Sequence, residues 1–362
     1  MRETNQLTNK IKRNEFKTNQ SKQINQTNQL TIKFKTMKKL FLLVAIAALG
    51  FASCTEENFE GNNGNSSKKI QFKTMVGKNN HLKVTELDLA GLKTSGFTVT
   101  ALNSASADFN GTNPYTSYID QLGVTWSDTA WTYTGAYYWP ENSQKLSFFA
   151  YGGDAVTSWA ATTPNFPSFS YTIGANAAAQ KDLVAAMKLN NTNMATALLL
   201  DFKHILTQIN FSIKGQVPAL KYVVKKIEII GAKNSGTYTY NATTGEWSSQ
   251  TGTTNYTYFN DSTTIDYGTT DFTSFGNGVT GTEALMLMPQ DNSGVKIQVT
   301  YDIVNSGGSY VKQNKIAEYT FASGTWNLGT KIRYNITLPV STNSILLDAT
   351  VTGWNGETPT AL

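Results

Sequence analysis

Hydrophobic residues recur at every second position along most of this chain, and that period constrains the fold more than any other feature. Val295, Ile297, Val299, Tyr301 and Ile303 alternate with Lys296, Gln298, Thr300 and Asp302. Ile209, Phe211 and Ile213 alternate with Asn210, Ser212 and Lys214, and Ile332, Tyr334, Ile336 and Leu338 alternate with Arg333, Asn335 and Thr337. The pattern also occurs at Ile70 and Phe72, and at Phe97, Val99 and Ala101. Successive side chains on a strand point to opposite faces, so each run buries one face and wets the other. Clusters such as Asn234-Ser235-Gly236 and Ser306-Gly307-Gly308 separate the runs as turns. Only Ala177 to Leu189 and Ala195 to Leu206 read as helical. The expectation is an all-β chain built from mainly antiparallel β-sandwiches, repeated twice. The polar break Asn190-Asn191-Thr192-Asn193 places the division, giving domains over 68–195 and 196–362.

Composition agrees with exposed sheet. Charged residues make up 15% of the chain, against about 25% in an average globular protein. Thr, Ser, Asn, Gly and Tyr take their place. One Cys and two His exclude a disulfide scaffold and a Cys/His zinc site. No metal or cofactor is therefore expected. The net charge of +5 is concentrated at the start. Residues 1–53 hold ten Lys or Arg and two acids, while the other 309 residues carry 20 bases and 23 acids, a net of −3. That body lacks the basic stripe of a nucleic-acid binder, and no nucleic-acid partner is expected. Lys221, Lys225 and Lys226 read as one solvated strand edge.

Of the first 36 residues, 23 are Asn, Lys, Thr or Gln, and none is Gly, Pro, Ala, Val, Trp or Tyr. Such a stretch cannot bury enough apolar surface to fold. Its residue types have A-rich codons, so 1–36 is expected to be an upstream extension, with the true start at Met37. Residues 37–53 then read as a signal peptide. Lys38 and Lys39 precede an apolar run of 12 residues, Leu40 to Phe51, which is too short to span a bilayer. The run ends in Phe51-Ala52-Ser53-Cys54, which resembles a bacterial lipoprotein box, with Phe51 where Leu is usual. That resemblance implies cleavage between Ser53 and Cys54, acylation of the Cys54 thiol, and a membrane anchor through two acyl chains. The alternative is a buried free Cys after an ordinary signal. Thr55-Glu56-Glu57-Asn58 is similar to the acidic tract of surface-exported Bacteroidetes lipoproteins. Residues 54–67 read as a lipidated flexible tether, and the expected location is the outer membrane, exposed at the cell surface.

Several stretches in order across 68–354 resemble the fimbrillin-like family of Bacteroidales surface lipoproteins, subunits of type V pili. They are Gly96-Phe97-Thr98-Val99-Thr100-Ala101, Val124-Thr125-Trp126, Trp131-Thr132-Tyr133, Tyr137-Tyr138-Trp139-Pro140 and Lys145 to Tyr151. The second half adds Asp201 to Ile209, Leu285 to Gln290, Thr325 to Gly329 and Val351-Thr352-Gly353-Trp354. The resemblance implies two tandem transthyretin-like β-sandwich domains. It also implies a structural or adhesive role in a fimbria, with other pilin subunits and a host or bacterial surface ligand as partners.

Catalytic patterns are missing. There is no G-x-S-x-G elbow and no phosphate-binding loop, and the sole Cys is assigned to lipid. His81 lies near the edge of the first domain, and His204 reads as a structural histidine within an apolar stretch. Asp291-Asn292-Ser293-Gly294 resembles a calcium-loop fragment but lacks the later ligands, so it reads as a β-turn. A non-enzyme is expected. Trp126, Trp131, Tyr133, Tyr137, Tyr138 and Trp139 crowd into 14 residues. Of these, Trp126, Trp131, Tyr138 and Trp139 would be the rings of a sugar-stacking platform, the rival reading of a surface carbohydrate-binding lipoprotein. Core and hairpin packing is the favoured reading, because Trp131, Tyr133 and Tyr137 share one strand face.

In the type V family the resemblance implies removal of the N-terminal strand by a trypsin-like protease, usually after Arg, and its replacement by a donor segment from the next subunit. Between Cys54 and Leu362 the sole Arg is Arg333, inside an alternating strand. The cut is therefore expected after a Lys. Lys68, Lys69, Lys73 and Lys78 flank or lie within the candidate first strand Ile70 to Val76, with Ile70, Phe72 and Val76 as its apolar positions, and Lys78 is the favoured site.

Overall fold

In the computed structural model the described residues are 68–77, 87–141, 143–266, 270–275 and 284–353. All of them lie in one compact unit, Asn65–Leu362. The regular structure of the described residues is almost entirely strand. In order these are β1 (Phe72–Val76), β2 (Phe97–Asn103), β3 (Thr116–Ser127), β4 (Ala130–Thr132), β5 (Leu146–Gly152), β6 (Thr157–Ala160), β7 (Ser168–Thr172), β8 (Val184–Asn191) and β9 (Leu198–His204). They continue as β10 (Thr207–Gly215), β11 (Lys221–Ala232), β12 (Ser235–Thr239), β13 (Glu246–Thr251), β14 (Thr254–Ile265), β15 (Thr273–Ser274) and β16 (Leu285–Leu287). The last are β17 (Gln290–Asp291), β18 (Lys296–Val304), β19 (Tyr310–Thr320), β20 (Thr325–Trp326), β21 (Thr330–Leu338) and β22 (Leu346–Gly353). One short helix, α1 (Leu89–Ser95), starts at Asp88, whose carboxylate accepts the Gly91 N–H at 2.7 Å.

The first seven-stranded sheet runs in the order β1-β9-β8-β5-β2-β3-β4. One face carries Phe72, Phe97, Val99, Phe148, Ala150, Val184, Leu198, Leu200 and Phe202, all in one buried cluster with Trp131 of β4. Because residues of both end strands share that cluster, the sheet is rolled around it. The opposite face of the same strands is covered as well. Leu102, Phe149 and Ala185 belong to a second buried cluster, which also holds Phe169, Tyr171, Tyr238 and Tyr240. Phe149 meets Tyr240 edge to face at 5.2 Å, and the Tyr240 hydroxyl donates to the Ala150 carbonyl at 2.8 Å.

From Thr207 onward two sheets face each other. One contains β15, β10, β21 and β22, with β16 also on β10, and the other runs β14-β11-β18-β19. Ile209, Phe211, Ile332 and Tyr334 of the first share a core with Tyr222, Ile229, Tyr258, Ile297 and Tyr301 of the second. The Phe211 and Tyr258 rings lie 4.8 Å apart across that core. A further sheet, β13-β12-β7-β6, joins strands from both halves of the chain.

One expectation changes. Ala177 to Leu189 and Ala195 to Leu206 are not helices: the first holds a three-residue 3₁₀ turn, Ala177–Ala179, and then β8, and the second holds β9. β8 is covered on two faces, so its sequence loses the alternation and reads as an apolar run. β9 does alternate in burial, with Leu198, Leu200 and Phe202 buried and Leu199, Asp201 and Lys203 half-buried. The pairing is mainly antiparallel, as expected, with β1 parallel to β9 and β10 parallel to β21. Long connections separate each of these two pairs, so no tight hairpin dictates an antiparallel neighbour. Strands β8 and β9, on either side of residues 195/196, are neighbours in one sheet.

Two substitutions test the rolled core. Phe148→Ala, at a fully buried position, is expected to lower unfolding free energy by about 3–5 kcal/mol. Ile316→Ala, at a position 47% exposed, is expected to change it by less than about 0.5 kcal/mol. Denaturant unfolding of the two variants measures both, and equal effects would contradict the assigned burial.

Candidate functional site

The feature that sets one part of the fold apart is β1, which ends the seven-stranded sheet. On its inner side it forms a five-residue parallel ladder, from Phe72 opposite Leu198 to Val76 opposite Phe202. The Gln71 carbonyl accepts from Leu198 N–H at 2.7 Å, and Gly77 N–H donates to the Phe202 carbonyl at 3.1 Å. On its outer side no described strand pairs with β1 over its length. Its hydrogen bonds there come from one stretch, 130–139, at the far end of the same sheet, and α1 also lies against the strand.

Those contacts are specific. Trp131 Nε1 donates to Thr74 Oγ1 at 3.0 Å, and the Tyr133 hydroxyl donates to the Ile70 carbonyl at 2.5 Å. Just before β1, Ile70 N–H donates to the Tyr137 carbonyl at 2.9 Å, and Trp139 N–H donates to the Lys68 carbonyl at 2.8 Å. Between these two bonds Lys69 and Tyr138 sit opposite each other in an isolated antiparallel bridge. The Tyr118 hydroxyl donates to the Tyr138 carbonyl and steadies the bridge from behind. The Phe72 ring meets Phe97, Tyr133 and Phe148 at 5.9–6.1 Å, all edge to face. Lys69 Nζ lies 5.1 Å over the Tyr133 ring.

The residues singled out from sequence are therefore partly brought together. Ile70 and Phe72 are buried and Val76 is half-buried, as the apolar positions of a first strand. Lys68, Lys69 and Lys73 are exposed. Lys78, His81, Ser53 and Cys54 lie outside the described residues. Of the four rings considered for a sugar platform, Trp131 and Trp139 are buried, Trp126 is half-buried, and Tyr138 is 45% exposed. Trp126 and Trp131 stand at 76° to each other, and Lys93 Nζ sits 3.8 Å over the Trp126 ring. These rings do not present a flat exposed row. Arg333 lies within β21, between β10 and β22, where its guanidinium donates to Asn210 and Ser274. A cut there would sever a central strand.

Sequence reading missed Thr74 as the partner of Trp131, and missed that the aromatic stretch closes on the first strand. A polar residue on the inward period of β1 was the one available signal. His204 and Asp182 are both buried, with Nδ1 and Oδ2 2.7 Å apart, and Asp182 Oδ2 also accepts the Leu87 N–H at 2.9 Å. The pair joins β9 to the chain ahead of α1. Asp291 accepts the Ser293 N–H at 2.8 Å within a tight turn. A cleft of about 510 Å³ lies beside Gly96, Gly152, Asp154 and Lys181. Its two charges pair with each other at 3.1 Å, and Tyr171 donates to the same aspartate. Among the described residues, no three His, Cys, Asp or Glu are grouped to hold a metal ion.

Burial pushes the Tyr133 phenol up to about 12, with Tyr138, Tyr137 and Tyr118 nearby adding to the shift. The fold thus favours the neutral phenol. Its contribution to stability is complete below pH 10, the ordinary value, and is lost as the pH rises through about 12. In an ultraviolet absorbance titration, the difference between the native protein and Tyr133→Phe is expected to develop near pH 12. A difference developing near pH 10 would show the ring to be solvated.

Comparison with known proteins follows the same lines. A family model described as fimbrillin-like matches residues 90–354. The chain is 25% identical, over 376 residues, to the fimbrium subunit Fim1C of Phocaeicola vulgatus, covering 87% of this chain and 96% of that one. The crystal structure of a fimbrial protein from Bacteroides vulgatus has the same fold, with a TM-score of 0.64 at 23% identity, covering 79% of this chain and 99% of that one.

Proposed function

The chain belongs to the fimbrillin-like family, and we propose that it serves as a structural and adhesive subunit of a type V fimbria on the bacterial surface. The observation that carries this reading is β1: a short terminal strand, held by one backbone ladder, whose departure would uncover the β9 edge and the Phe97, Phe148 and Phe202 rings. An uncovered edge of that kind is a template for another extended chain, and main-chain hydrogen bonds would supply the affinity. Subunits would then assemble by donor-strand exchange, each filling the place of its neighbour's lost strand.

Before assembly the chain would be held at the outer membrane by acyl groups on Cys54, after signal cleavage between Ser53 and Cys54. A lysine-directed cut after Lys68, Lys69, Lys73 or Lys78 would release it, and of these a cut after Lys78, the favoured site, would separate the whole of β1 from the body. The relationship to a named fimbrium subunit over most of both chains supports the reading, as do the exposed side chains of Lys68, Lys69 and Lys73. The half-buried and buried tryptophans favour packing over glycan stacking.

Electron microscopy of cells with and without the protein tests assembly, with filaments expected only when it is present. N-terminal sequencing of subunits sheared from those filaments is expected to give a new terminus immediately after one of the four lysines. Recovery of the protein solely as the acylated Cys54 form in the membrane would overturn the processing step.

A further inference from the structure

Along Phe72–Val76 the outer side of β1 has, among the described residues, a side-chain bond and no second ladder, and just ahead of it Lys68 and Ile70 make two backbone bonds to the same stretch, 130–139. This matters for any protease acting on Lys68, Lys69 or Lys73. A protease needs its target as free extended backbone, yet the Lys68 carbonyl is bonded to Trp139, Lys69 is bridged to Tyr138, and Lys73 lies within the ladder to β9. The lysine side chains are available and their peptide bonds are not. Every described hydrogen-bond or bridge partner on the outer side, Trp131, Tyr133, Tyr137, Tyr138 and Trp139, lies on ten consecutive residues.

We infer that the segment 130–139 is a latch on β1, and that opening it is the step that makes the bonds after Lys68 and Lys69 cleavable and the strand exchangeable. Trp131 and Tyr133 act as positioning residues, each holding β1 by one side-chain bond, at Thr74 and Ile70. The latch can open without disrupting the rest of the sheet, because its bonds to β1 form a seam between the first and last strands of the sheet order. The inference rests on the reading that β1 is removed during assembly.

Its test uses the full chain, carrying its own tether, and a lysine-specific endoprotease. Trp131→Phe and Tyr133→Phe keep each ring and remove its donor. Each is expected to raise the rate of cleavage after Lys69 about 5-fold, the usual worth of one hydrogen bond, while amide exchange in β5 is unchanged. A second variant locks the latch. Lys69 and Tyr138 face each other between the two backbone bonds that flank them, which places them as a close non-bonded pair suited to a disulfide. With Lys69→Cys and Tyr138→Cys, and Cys54→Ser to remove the native thiol, the oxidised protein is expected to resist cleavage after Lys68. Reduction of the same sample is expected to restore it. Equal cleavage of the oxidised and reduced forms would overturn the latch, as would faster exchange in β5 matching the faster cleavage. These measurements need no filament, so absent filaments with an intact latch response would count against the fimbrial reading alone.

Discussion

The first sheet can bury Phe72 of β1 and Trp131 of β4 in a single cluster only if it rolls until its end strands meet. The other arrangements follow from that closure. The inner face is filled by side chains from all seven strands, and the outer face must be covered too, because Leu102, Phe149 and Ala185 point outward and are apolar. The sheet β13-β12-β7-β6 does the covering, drawing its strands from both halves of the chain. The two halves are thereby joined through a common core rather than by a linker.

Closure by rolling leaves one seam. A strand at the edge of a sheet carries unpaired N–H and C=O groups, and proteins usually blunt or cover them. Here β1 and β4 meet through Trp131 and Thr74, with Tyr133 and the Lys69–Tyr138 bridge completing the contact. Side-chain bonds hold one position each, whereas a ladder holds a run of residues, so the seam is the weaker side of β1. A subunit built to exchange its first strand needs a strand that is fully folded and singly held. This arrangement supplies both conditions.

Much of this was legible in the alternating sequences. Strands β10, β18 and β21 stand where the period placed them, because each has one face on the core and one in or near water. The first strand was also legible from Ile70 and Phe72. By contrast, β8 was misread because two-sided burial erases the period, and Val184, Ala185 and Ala186 point alternately into two different cores; in β9 the consecutive Leu198, Leu199 and Leu200 hide an alternation in burial. Partners were harder still. A period of two says which face is buried and nothing about which strand lies alongside, so the parallel β1–β9 pair was not foreseeable. The aromatic stretch from Trp126 to Trp139 was recognised as packing, but its target, the first strand, is 57 residues away at Thr74 and invisible to local patterns.

The central claim is that β1 is held as a separable unit on an otherwise intact sheet. Native-state hydrogen exchange, resolved by strand under conditions where the protein stays folded, tests it most directly. The amides of Phe72–Val76 are expected to exchange through a local opening, well before those of β5 and β8 and with little sensitivity to denaturant. If instead they exchange together with β5 and β8, at the free energy and denaturant dependence of global unfolding, β1 is an integral part of the core and the account is wrong.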